Sequence, residues 1–429
     1  MILTLRQRLY WVFAACLLLA LPARAHDPSS WGGMFRTRDA GGTWLPIDGG
    51  LFIGGAIGLA VDPSDPNHLL YATDSRLLRS RNGGRDWIQE QPSVFFGPAL
   101  AAAFDARGGS AIVATSAGLY RNESGTREWV SVLIPAAASP ARYIAAGASA
   151  GRYFVAGAQG LYRTQDGGAT WQRIGEALPD APASALIVQT QPSEIVYAVI
   201  QGAVWAGTDD GTNWSQRTAG LPVGQVETVA VDPGGLRLWS AAAGRLYVSD
   251  DAGQTWRSQG ELLPDPAISI RGIGMSGDGK RIVLTTHRGL YRSVDGAHSW
   301  SLTEGNLPVH LEAGPLVRDP SEPETFYAGF SLTPYGEIWR RATQGTSLLS
   351  LVDPVSLAGG AAFLGLLVAA GVLVVRRLMR PSTLTSARAT TRTSCDEQDK
   401  HIPLCGSGGR PSGSAGSGLG VLAPARHIG

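Results

Sequence analysis

Apolar and polar residues alternate on both sides of a glycine-rich centre in Leu161-Tyr162-Arg163-Thr164-Gln165-Asp166-Gly167-Gly168-Ala169-Thr170-Trp171-Gln172-Arg173-Ile174. Such alternation belongs to half-buried strands, so the Asp-Gly-Gly centre predicts a hairpin turn between two of them. An Asp at the turn entrance accepts hydrogen bonds from backbone N–H groups, and Gly supplies the positive φ that the turn requires. Trp171 then restarts the chain with a large apolar surface to bury against a neighbour.

The pattern recurs, with copies ending at Trp44, Trp87, Trp129, Trp214, Trp256 and Trp300; Ser249-Asp250-Asp251-Ala252-Gly253-Gln254-Thr255-Trp256 is clear, and the copy from Leu119 to Trp129 is worn. Successive Trp residues are 43, 42, 42, 43, 42 and 44 positions apart. So steady a period predicts a repeat fold rather than separate sites. Two further strand candidates precede each box, such as 57–61 and 69–73 around the turn Asp62-Pro63-Ser64-Asp65-Pro66-Asn67, with equivalents near 99–115, 142–157, 185–200, 226–241, 269–286 and 314–330. A calcium loop needs several oxygen ligands close in sequence, whereas each copy reliably offers one. The repeated Asp residues are therefore read as structural, and neither metal nor cofactor is expected.

Six complete units leave an outer hairpin over at the N-terminus and a set of three strands at the C-terminus. Joining the two makes a seventh unit and closes the ring, which removes the unpaired edges that an open solenoid would expose. One strand is surplus: either Met34 to Thr37 or Glu337 to Arg341 should lie outside the regular four-stranded unit.

The repeat resembles the Asp-box, or bacterial neuraminidase repeat, found in sialidases, in the sortilin ectodomain and in photosystem II assembly-factor-like propellers; the likeness covers about residues 34 to 345. It implies an all-β, seven-bladed β-propeller of four-stranded blades, with each box capping an outer hairpin away from the central channel. Enzymes and pure binding modules share this box, so fold alone does not decide function.

Outside the repeats, residues 1–25 read as a signal peptide: Arg6 and Arg8 precede an apolar run, and Pro22-Ala23-Arg24-Ala25 offers small residues for cleavage after Ala25. Cys16 leaves with that segment, so the folded part contains no cysteine. The propeller is assigned to 26–346 and a linker to 347–353. Pro354 to Val375 holds no charged residue over 22 positions, which predicts one transmembrane helix. Arg376, Arg377 and Arg380 follow it, placing the C-terminus in the cytoplasm and the propeller on the periplasmic or extracellular side of the plasma (inner) membrane. Ala361, Gly365 and Ala369 form a small-residue stripe that permits a weak helix dimer, although such stripes are more often incidental. Residues 376–429, rich in Ser, Thr, Gly and Arg, are expected to be disordered, and Cys395, His401 and Cys405 match no metal-ligand spacing.

The chain carries a formal charge of +1; removing the three Arg of residues 1–25 and the net five positive charges of 376–429 leaves −7 on the exported region. An acidic ectodomain argues against nucleic acid as partner. Two functions remain: a membrane-anchored, non-catalytic binding or assembly module for a protein, peptide or glycan, and a sialidase-like exo-glycosidase. The sialidase opening motif Phe-Arg-Ile-Pro is absent, its nearest relative being Phe35-Arg36-Thr37-Arg38 in a box hairpin. Asp62, Asp232 and Glu227 are read as turn or surface residues rather than catalytic acids. Arg142, Tyr143, Arg271 and Arg318 lie near presumed inner strands and are the candidates for facing the channel. The binding module is the favoured reading.

Overall fold

The computed structural model describes residues 32–91, 95, 97–124, 126–344 and 354–378. Its first unit contains seven four-stranded antiparallel sheets. Blades I to VI take residues 56–89, 99–132, 143–174, 183–216, 226–259 and 270–302, each in chain order from the channel outward. Blade VII is composite: Glu312–Arg318 and Phe326–Ser331 form its inner half, Gly33–Thr37 and Leu45–Pro46 its outer half. Its seam pairs Gly33 with Phe330 and Thr37 with Phe326.

The surplus strand is thereby assigned. Met34 to Thr37 is a regular blade strand, while Glu337 to Arg341 lies in helix α1 (Tyr335–Gln344). The C-terminal contribution to blade VII is thus two strands rather than three. The reason is periodicity: Tyr335, Ile338, Trp339 and Ala342 recur at helical spacing and pack together against the propeller.

Packing explains why the second strand of each blade reads as a continuous apolar run. Tyr153–Ala156, Ile195–Ile200 and Ile282–Thr286 are buried at every position, because neighbouring blades cover both faces. The core is accordingly interblade: Tyr197 and Val199 of blade IV meet Val229, Leu238 and Trp256 of blade V. Outermost strands are mostly exposed instead, Leu45 and Ile88 among them.

In blade III the Thr164 hydroxyl donates to Asp166 Oδ1 at 2.7 Å and accepts the Gly168 N–H at 2.9 Å. Asp166 in turn accepts the Thr170 N–H at 2.9 Å and the Thr170 hydroxyl at 2.5 Å. The same four bonds occur around Asp39, Asp251 and Asp295. Hydrogen bonds from Thr170 hold the Asp166 carboxyl down at about 2. Asn82 takes the Asp place in blade I, and in the worn copy Asn122, at the place of Thr164, donates its amide to the Thr126 and Glu128 carbonyls and accepts from Arg79. The box aspartates thus spend their oxygens on their own turns.

Helix α2 (Pro354–Leu378), 25 residues long, belongs to a second unit, residues 353–429. Among the described residues no helix is long and apolar enough to cross a membrane. The signal segment, Cys16, Ala25, Cys395, His401 and Cys405 lie outside the described residues, as does the side chain of Ala361 in the small-residue stripe.

Candidate functional site

All seven innermost strands start at one end of the channel, the end opposite the Asp-boxes. Register makes this plain: Ala56 pairs with Thr73 at the starting end, whereas Val61 pairs with Leu69 and Leu69 with Ser80, the first residue of a box. At the starting end a cavity of about 970 Å³ opens among the first residues of the inner strands. Arg142, Tyr143, Ser184, Gln225, Glu227 and Arg271 give it polar wall, and Ile57, Leu100 and Val226 give it apolar wall.

Four of the residues weighed from the sequence are brought together here. Arg142 stands with its guanidinium carbon 5.5 Å from the Tyr143 ring and 5.3 Å from the Trp339 ring, and makes no ion pair among the described residues. Tyr143 donates its hydroxyl to the Ser184 carbonyl at 2.5 Å. Arg271 donates to Glu312 at 2.8 Å and lies 5.2 Å from the Tyr335 ring. Glu227, at the start of its strand, lines the cavity and accepts the Ile270 N–H.

The other three lie at the box end, away from the cavity. Asp62 accepts from Ser64, from the Gly109 N–H and from buried His68, a turn role in agreement with its expected part. Asp232 accepts the N–H groups of Leu236 and Arg237, likewise in a turn. Arg318 ends its strand opposite Phe326, at the box end, and burial lowers its pKa.

Electrostatics separates the two carboxylates of the mouth. Burial raises Glu227. Burial would raise Glu312 as well, but hydrogen bonds from Arg271 and from the Tyr335 N–H outweigh it and hold that carboxyl below its usual range. Each carboxylate is therefore already engaged by donors of its own chain.

Helix α1 walls one side of this mouth. The Tyr335 hydroxyl donates to the Ala56 carbonyl at 2.6 Å, its N–H donates to Glu312 at 3.0 Å, and Ile338 is 6 % exposed. A Cβ on Gly314 would approach within 2.1 Å of the Tyr335 ring, so that position must be glycine for the ring to seat. Glu312, Tyr335 and Trp339 were not foreseen as site residues. The signal for Tyr335 and Trp339 was the i, i+3, i+4, i+7 spacing that continues to Ala342, hidden because the stretch Glu337 to Arg341 also suits a strand.

Residues 99–259 match the family model described as photosynthesis system II assembly factor YCF48. The chain is an Asp-box β-propeller resembling those assembly factors. Among solved structures, YCF48 bound to D1 peptide aligns with a TM-score of 0.50 at 17% identity, over 74% of this chain and 99% of that one. YCF48 from Cyanidioschyzon merolae aligns at 0.51 with 13% identity, over 66% and 97%. The extracellular domain of the putative hybrid two component system BT4673 from B. thetaiotaomicron aligns at 0.51 with 12% identity, over 66% of this chain and 38% of that one. No curated protein sequence matches the chain. At these identities the structural likeness concerns the fold.

Proposed function

We propose that this propeller is a non-catalytic binding or assembly module that holds a segment of a partner protein at the channel mouth opposite the Asp-boxes. The observation that carries the reading is the cavity of about 970 Å³ with Arg142 beside it, half-buried and without a carboxylate partner among the described residues. A guanidinium held beside the Tyr143 ring with no carboxylate of its own favours recognition of carboxylate and carbonyl groups along a peptide. Glycosidase chemistry needs two carboxylates free to face a sugar, whereas Glu227 and Glu312 are bonded to Ile270, Arg271 and Tyr335. The likeness to YCF48 bound to D1 peptide supports a peptide or protein over a glycan.

The anchoring also belongs to this proposal. The uncharged run from Pro354 to Val375 lies in α2 and, at about 1.5 Å per residue, matches a hydrocarbon core of roughly 30 Å. With the signal peptide removed and Arg376, Arg377 and Arg380 in the cytoplasm, the propeller stands outside the membrane, and tethering raises its effective concentration toward partners in the same bilayer. A helix pair through Ala361, Gly365 and Ala369 is compatible with this span and is not required by it.

The test is photo-cross-linking in native membranes, with the reactive group placed at Gln225 in the mouth or at Ala169 on a box turn. Protein adducts from Gln225 and none from Ala169 are expected; adducts from Ala169 alone would move the site to the other end of the ring.

A further inference from the structure

We propose that helix α1 is a resident occupant of the mouth, and that the partner binds by displacing it with an amphipathic helical segment of its own. The inference rests on the partner-binding reading above and names the chemistry of the partner.

The ring is complete without α1: blade VII already has four strands, and the chain then turns back through Leu332, Thr333 and Pro334 to lay a helix on the mouth. The helix presents Tyr335, Ile338, Trp339 and Ala342 to the propeller, packing in one cluster with Leu100, Tyr153 and Ile144. The mouth is shaped to receive that face. Gly314 leaves the space that the Tyr335 ring fills, and a Cβ on Gly55 would lie 3.4 Å from Ile338. The helix also takes up the mouth's polar groups: its first N–H caps onto Glu312, Tyr335 stacks on Arg271, and Trp339 stacks on Arg142.

Two features make this contact reversible. A helix of 10 residues is below the length of about 12 to 15 at which isolated helices become even marginally stable, so α1 is helical only while seated. Its other face offers Arg340 and Arg341 to water, and the cavity opens directly beside it. Docked helix and open mouth are thus two discrete states, and a competing helix with an aromatic, an aliphatic and an aromatic residue at i, i+3 and i+4 meets the same glycine-lined seat.

A fluorescein-labelled synthetic peptide copying residues 333–344 tests this against the full chain in detergent micelles, comparing wild type with Trp339→Ala and with Tyr335→Ala/Trp339→Ala. The tethered helix competes at millimolar effective concentration, so the double variant should bind the peptide at least tenfold more tightly, with the single variant between. Amide exchange at residues 338–342 should lose its protection in the double variant. Equal affinity for both forms, or no binding to a double variant that still melts cooperatively, overturns the proposal. Unchanged protection of those amides does the same. Adducts at Gln225 separate the two readings: if they persist while the peptide fails, displacement alone is wrong, and if both forms yield none, the binding reading falls and displacement with it.

Discussion

Phe35 and Phe330 meet edge to face, 5.3 Å between ring centres, across the seam where the first and last strands of the propeller pair. Both rings are buried, and the strands beneath them exchange the hydrogen bonds that close the ring. Phe35→Ala removes the ring and leaves a cavity in the one blade assembled from both ends of the propeller, which costs about 3 to 5 kcal/mol. Urea unfolding should show that loss, larger than for Ile88→Ala on an exposed outer strand, which should stay within about 0.5 kcal/mol.

Asp166 tests the box as a structural device. Asp166→Ala removes acceptors from Thr164 and Thr170 at an exposed turn and should cost about 1 to 2 kcal/mol at neutral pH. Its folded pKa lies at about 2, below the ordinary value of 3.8, so the contribution is present above 3.8 and is lost as pH falls through about 2. Wild type and variant should therefore converge in stability on acidification, as read by thermal melts across pH.

Asp48 has the opposite sign. Burial lifts its pKa to about 6 from 3.8, so its ionised form opposes folding. The fold is favoured by its neutral form below 3.8, and that advantage disappears as pH rises through about 6. Asp48→Asn should stabilise the protein at pH 7.5 by an amount on the order of 2 kcal/mol and change little at acid pH. Melting temperatures of the two proteins at both pH values check this.

Glu90 anchors a buried polar network between blades I and II. It accepts from Arg79 at 2.9 Å and from the Trp129 indole at 2.6 Å, while Arg79 reaches the His68 ring at 2.7 Å and His68 reaches Asp62 at 2.8 Å. Glu90→Gln leaves the Arg79 charge buried without its counter-charge and should cost about 3 to 5 kcal/mol in denaturant unfolding. Replacing Glu123, exposed and 3.8 Å from Arg121, should change stability by less than about 1 kcal/mol.

The ring was legible in the sequence because every blade must bury the same faces and turn with the same chemistry, which imposes one interval on Trp44 through Trp300. Closure followed from counting strands. The mouth was less legible, since Arg142, Glu227 and Arg271 are brought together only by closure and sit where inner strands begin, outside the repeated pattern. Tyr335 and Trp339 were missed for a related reason. Local pattern at Glu337 to Arg341 tolerates strand or helix, and the choice is made by docking onto Leu100, Tyr153 and Gly314, contacts distant in sequence.

The composite seventh blade also sets a timetable for biogenesis. Gly33 is among the first residues of the fold to leave the ribosome, yet its partner Phe330 follows 297 positions later, about 15 to 60 s at ordinary translation rates. Throughout that interval the nascent N-terminal hairpin travels with a naked edge, which a holdase chaperone must shield from other chains until the last strand arrives.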